Sequence, residues 1–191
     1  MARTRSEDAR QRILDAALRR ARAEGYGKLT IDAIAAEAGV GKQTVYRWWR
    51  SRAEVVLEAL RENARTIPWD EKGNLEADLR AFLRATFRYA SGKESTAPVL
   101  RGLMAEAQLD PAFLPHFRVF IEERRQILRQ LLLRYASKAS EVTVDMIFGA
   151  MWYRMLVGHG KLDVRFADTL ALLAARQVLC PDRSETLCSK R

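Results

Sequence analysis

The residues from Thr30 to Arg52, TIDAIAAEAGVGKQTVYRWWRSR, admit very few local structures. Ile31, Ile34, Ala35 and Ala38 recur at helical spacing, Gly39 interrupts the pattern, and Val45 with Trp48 or Trp49 resumes it. Thr30 can cap the first segment, because its hydroxyl accepts from an otherwise unpaired first-turn amide. Gly39 falls where the chain must reverse with positive φ, which a residue without Cβ adopts cheaply. Ala35 is small where a second helix must approach, and Val40 and Val45 fill the angle between the two. The pattern predicts a helix-turn-helix, the motif that sets its second helix in the major groove of DNA.

The second helix, Lys42 to Trp48, offers Lys42, Gln43, Thr44, Tyr46 and Arg47 on one side and turns Val45 and Trp49 inward. Gln43 and Thr44 stand at the amino end, which meets base edges in this docking geometry. Lys42, Tyr46 and Arg47 suit phosphate oxygens. A solvated polar face on a small helical domain would use the same residue types. The joint agreement of glycine, small and apolar positions with one template favours the reader. Upstream, Ser6 to Glu24 reads as a helix with Ile13, Leu14, Ala17, Leu18 and Ala21 buried, closed by Gly25 and Gly27. Arg3 and Arg5 precede it, either as an arm for a minor groove or as a solubilising tail. Downstream, Ser51-Arg52-Ala53-Glu54 is a capping box that opens a connecting helix to about Arg65. Arg52 at its amino end would meet the DNA backbone.

The net charge of +9 over 191 residues falls more than half in the first third of the chain, which suits a polyanionic partner or simply reflects an arginine-rich genome. The basic start, MARTRSEDARQR, leads into no uncharged apolar run, so no export signal is expected. Val142 to Val157 contains Asp145 and Arg154 and is too short to span a bilayer. A cytoplasmic protein with no membrane segment is expected. Cys180 and Cys188 lack metal-ligand spacing and read as reduced bystanders. The two histidines, His116 and His159, have no Glu-x-x-His partner, and the chain has no phosphate loop and no nucleophile elbow. His159 reads as a loop residue after a helix end and His116 as a partly buried packing residue. An enzyme is therefore not expected, nor a metal or cofactor.

Beyond about Asn74 only helical periods occur. Leu75, Leu79, Phe82, Leu83, Thr86 and Phe87 form one stripe; Val99, Leu100, Leu103, Met104 and Ala107 form another. Asp110-Pro111 is expected to open a long helix to about Tyr135. Val142 to Val157 is apolar nearly all round and needs cover on more than one side. Phe166 to Leu179 presents Phe166, Leu170, Leu173, Ala174 and Val178. Two such helices from each of two chains would make a four-helix bundle. The fold class expected is all-α. Residues 1–50 would form a three-helix DNA-binding domain, 51–66 a connecting helix, 74–180 a helical regulatory and dimerisation domain, and 181–191 a flexible tail, with the boundary between Ile67 and Gly73.

From Ile13 to Leu60 the chain resembles the DNA-binding domain of the tetracycline-repressor (TetR) family of bacterial transcription regulators. The resemblance rests on Thr30, on Ala38-Gly39-Val40, on Lys42 to Tyr46 followed by Arg47-Trp48-Trp49, and on Ser51-Arg52. Gly41 stands where members usually place serine, and Trp48 where histidine or tyrosine is more usual. The resemblance implies a homodimer, joined through the last two helices, that represses transcription from a palindromic double-stranded DNA operator until a small-molecule inducer releases it. Its DNA contacts would be Thr30, Lys42, Gln43, Thr44, Tyr46, Arg47, Trp48 and Arg52. Its inducer pocket would draw on Phe82, Phe87, Met104, Gln108, Phe113, Phe117, Met151, Trp152, Arg154 and Met155. Arg154 within an apolar helix could meet an acidic ligand, Asp145 or the partner chain. The competing reading is a helical adaptor whose helix-turn-helix packs on protein.

Overall fold

The computed structural model describes residues 5–64, 70–92 and 94–179. Arg3, residues 65–69 with part of the expected domain boundary, and residues 180–191 with Cys180 and Cys188 lie outside them. Among the described residues there are nine α-helices, one 3₁₀ turn and no strand. They fall into two compact units, residues 1–67 with 94–121 and residues 68–93 with 122–191.

The first unit contains α1 (Arg5–Glu24), the 3₁₀ turn Tyr26–Lys28, α2 (Ile31–Ala38), α3 (Lys42–Tyr46), α4 (Arg52–Ala64), α6 (Ala97–Leu109) and the start of α7 (Leu114–Leu133). Ile13, Leu14, Ala17, Leu18 and Ala21 form the buried stripe of α1, against which α2 and α4 pack. Each large apolar side chain in that stripe contributes about 1.5–3 kcal/mol by leaving water. Helix α1 begins at Arg5, so Ser6 lies inside its first turn and does not cap it. Asp110 folds an Asx turn, its side chain accepting from Ala112 N at 2.9 Å. That turn delays the next helix, which starts at Leu114 and leaves Phe113 ahead of it. Pro115 then stands in the first turn, where a missing amide loses nothing. Phe113, Phe117 and Phe120 follow one another at ring separations of 6.3 and 6.2 Å.

The second unit contains α5 (Leu75–Ser91), the rest of α7, α8 (Glu141–Val157) and α9 (Val164–Leu179). Asn74 caps α5, accepting from Ala77 N at 2.9 Å, and Ser140 caps α8. Helix α9 lies along α5 through Ala167, Leu170, Ala171, Ala174 and Ala175. The buried stripe runs mostly through alanines, which allow close approach, and Leu173, expected on it, lies off it at 50% exposure. Arg84 grips Asp168 in a two-point bridge at 2.7 and 2.6 Å, and Phe87 stacks on Phe166 at 5.6 Å. Arg125 and Arg129 of α7 bind Asp145 and Glu141 of α8 at 2.5 and 2.6 Å. Asp145 is thereby taken, and Arg154 does not pair with it. The Arg154 guanidinium lies 3.4 Å from the Phe166 ring centre and donates to Lys161 O at 2.8 Å.

Among the described residues one acid is fully buried: Asp78, on the inner side of α5. It accepts from Tyr135 Oη at 2.6 Å and from Lys72 N. Burial pushes its carboxyl up, but the Tyr135 hydroxyl and the Lys72 and Gly73 amides outweigh that and hold it below the usual aspartate range.

Candidate DNA-recognition surface

Thr30 caps α2 as expected, its Oγ1 accepting from Ala33 N at 3.2 Å. Gly39 closes the helix in the left-handed region, at φ 64°, and its amide returns to Ala35 O and Ala36 O. Helix α3 is a single short turn and a half. Val45 and Trp49 are buried, while Gln43, Tyr46, Arg47 and Trp48 are exposed and Thr44 is half-buried. Arg47 lies over the Trp48 ring, 5.9 Å from its centre, and Trp48 remains 42% exposed. Gly41 caps α3 without a side-chain bond, and nothing lies within 4 Å of where its Cβ would be. The hydroxyl that this position lacks would therefore fit.

Two expected phosphate contacts have partners within the chain. Lys42 Nζ binds Asp32 of α2 at 2.9 Å, and that hydrogen bond raises its pKa above the ordinary lysine value. Arg52 is likewise engaged within the chain. It donates to Leu29 O at 2.8 Å, lies 4.9 Å from the Tyr26 ring centre and approaches Glu106 of α6 at 3.5 Å. Tyr26 Oη donates to the same Glu106 at 3.0 Å. Burial first, and the Glu106 charge second, push the Tyr26 hydroxyl above its usual range. Gly102 of α6 presses on this tyrosine: a Cβ there would stand 2.5 Å from Tyr26 Cβ, Cγ and Cδ1. Tyr26, Gly102 and Glu106 carry no motif, and only tertiary placement brings them to Arg52.

The capping box is real but offset. Ser51 Oγ accepts from Glu54 N at 3.2 Å, whereas the Glu54 carboxylate reaches Arg50 N at 2.8 Å, one residue earlier than expected. Beneath Trp48 is an open cleft of about 610 Å³ between α1, α4 and the start of α7. Its charges are largely matched within the protein: Arg10 bridges Glu58 and Glu62, and Trp49 Nε1 donates to Glu58. His116 borders this cleft and is exposed, not partly buried as expected.

The expected inducer residues divide between the units. Met104, Gln108, Phe113 and Phe117 belong to the first, and Phe82, Phe87, Met151, Trp152, Arg154 and Met155 to the second. The four phenylalanines, Met151 and Met155 are buried, and Gln108 is exposed with its amide 3.7 Å from Met104 Sδ. His159 follows the αL residue Gly158 in a loop and packs on Tyr153 at 4.6 Å between ring centres. Among the described residues no three His, Cys, Asp or Glu side chains cluster as metal ligands, and no helix is long and apolar enough to cross a membrane.

Comparison with known proteins decides the family. The family model for bacterial regulatory proteins of the tetR family matches residues 13–59, and that for the tetracyclin repressor-like C-terminal domain matches residues 69–174. The chain belongs to the TetR family. This TetR-family chain is 27% identical to the HTH-type transcriptional regulator YdeS of Bacillus subtilis, over 97% of each. It is 33% identical to an HTH-type transcriptional regulator of Mycobacterium tuberculosis, over 73% of this chain and 68% of that one. Its fold is similar to the crystal structure of the TetR family transcription regulator SCO0332, with a TM-score of 0.75 at 26% identity over 88% of this chain and 97% of that one. The transcriptional regulator FadR of Bacillus subtilis, solved with stearoyl-CoA, shares the fold at a TM-score of 0.66 and 18% identity over 86% of this chain and 97% of that one. The protein is thus a DNA-binding transcriptional regulator with an amino-terminal helix-turn-helix and a helical carboxy-terminal domain.

Proposed function

We propose that the chain works as a homodimeric repressor that leaves a palindromic operator when a small molecule binds its carboxy-terminal domain. The observation that carries the DNA half of this reading is the division of the reader: Val45 and Trp49 anchor it while Gln43, Thr44, Tyr46, Arg47 and Trp48 face outward. Gln43 and Thr44 take the base edges, and Arg47, Tyr46, Trp48 and the capped end at Thr30 take the backbone. Lys42 and Arg52 serve mainly to fix α3 and α4 through Asp32, Leu29 and Glu106. Dimerisation through α8 and α9 is supported by Val142, Tyr153, Leu156, Val157 and Leu173, large side chains left exposed on those two helices. A twofold dimer then presents its readers to half-sites about 34–36 Å apart, or a multiple of that.

The proposed ligand binds in the second unit, among Phe82, Phe87, Met151 and Met155, in the role of a signal and not a substrate. Stearoyl-CoA occupies one structural neighbour and choline another. A ligand acts by preferring the dimer whose reader spacing no longer fits the operator. We place the protein in the cytoplasm, where its operator is. Selection from randomised duplex DNA at about 0.15 M salt, near physiological ionic strength, tests the reading. Recovery of an inverted repeat is the expected result, and a single half-site or no enrichment would refute the dimeric operator.

A further inference from the structure

The reader's surroundings hold more cations than its DNA contacts can use, and the structure sorts them. On α1, Arg10 is tied to Glu58 and Glu62, Arg19 and Arg20 to Glu37, and Arg22 to Glu94. Lys42 and Arg52 are tied as described. Moving any of these to a phosphate only exchanges one anion for another and leaves a carboxylate facing the DNA. Arg12 is different. It is exposed, and among the described residues its guanidinium meets no carboxylate. Its Nη1 lies 3.9 Å from where a Cβ of Gly39 would be, at the turn that feeds α3. The amino end of a recognition helix points at the base edges, so the turn before it stands at the lip of the groove, where a phosphate strand passes.

We propose that Arg12, delivered by α1 from outside the helix-turn-helix, is a phosphate-binding residue of the DNA complex. Two features of the site suit that role. Gly39 has no side chain between the guanidinium and the groove, and its φ of 64° excludes most residues that could screen it. An unpaired guanidinium can engage phosphate oxygens at two points without first breaking an internal bridge. The contact is blind to sequence, because phosphates carry no base identity. The inference rests on the helix-turn-helix docking on DNA in the orientation proposed above.

The test measures the binding of a fluorescent mixed-sequence duplex by full-length protein at several salt concentrations between about 50 and 200 mM. Each phosphate contact adds about 0.9 to the slope of log affinity against log salt. Arg12→Gln is expected to lower that slope by about 0.9 for each reader engaged, and Arg12→Lys to restore most of it. Arg19→Gln removes the same charge from the same helix, but from a residue held by Glu37, and should leave the slope unchanged. Circular dichroism confirms that each variant is folded. An unchanged slope in Arg12→Gln would overturn the proposal, and so would equal falls in Arg12→Gln and Arg19→Gln, which mark net charge alone. Failure of the parent protein to bind the duplex at the lowest salt would refute the docking itself, and the Arg12 contact with it.

Discussion

Replacing Gly102 by alanine puts two known effects in opposition, and the structure decides between them. In a helix interior alanine is favoured over glycine by about 1 kcal/mol. At this position the new methyl would stand 2.5 Å from three carbons of Tyr26, whereas carbons rest comfortably at about 3.5–4.0 Å. Roughly 1 Å of separation must therefore open. Tyr26 cannot swing aside freely, since it is buried, donates to Glu106 and lies under Arg52. Overpacking of this kind costs about 1–3 kcal/mol, and three simultaneous overlaps put it toward the top of that range. The net expectation is a loss of about 1–2 kcal/mol, or roughly 3–6 °C in Tm for a chain of this length. Calorimetry or urea titration reads it directly. The decisive control is the double-mutant cycle: in a Tyr26→Gly background all three overlapping carbons are gone, and Gly102→Ala should become stabilising by about 1 kcal/mol. If Gly102→Ala raises Tm in the parent protein by the helix-propensity amount, α6 is not pressed on Tyr26 and the close approach is refuted.

Acid should weaken the second unit through its bound carboxylates. Asp78 and Glu141 both titrate lower in the folded protein than unfolded, so the stability they contribute is complete above the unfolded values near 4 and disappears as pH falls through the folded ones. For Glu141, the Arg129 hydrogen bond, reinforced by Arg125 against some burial, brings the folded value to about 2. Urea midpoints between about pH 6 and pH 3 should fall in the parent protein and fall less in Asp78→Asn; parallel curves would remove Asp78 from the account. Aspartate at both Tyr153 and Leu156 should convert a dimer into the 21.8-kDa monomer in sedimentation, and a parent protein already sedimenting as monomer would exclude the α8 and α9 interface.

What could be read from the sequence followed how local the cause was. Thr30, Gly39, Val45 and Trp49 act within a few residues of themselves, through a cap, a positive φ and a helical period, and each stands where the pattern placed it. The helix spans of the carboxy-terminal part came from the same short-range periodicity. The start of α7 was misplaced because Asp110 has two local options, a helix start and an Asx turn, and only the second is realised. The partners of charged side chains were not legible at all. The sequence places Arg52 at the amino end of α4 but does not show that α6, 54 residues on in the chain, brings Glu106 to it, nor that the angle between α2 and α3 brings Asp32 to Lys42. Asp78 lies on the buried side of α5, where the apolar stripe gave no sign that Tyr135 would meet it. Periodicity reports which face of a helix is covered, and does not report by what.

The internal matching of the reader's charges also bears on how the protein finds its site. Genomes offer a vast excess of wrong sequence, and a regulator held everywhere by phosphates spends its time there. With Arg10, Arg19, Arg20, Arg22, Lys42 and Arg52 answered by carboxylates of the same chain, few anchors remain for random DNA. On the proposed contacts, sliding would then be brief, exchange between segments frequent, and residence set by the bases that Gln43 and Thr44 would read.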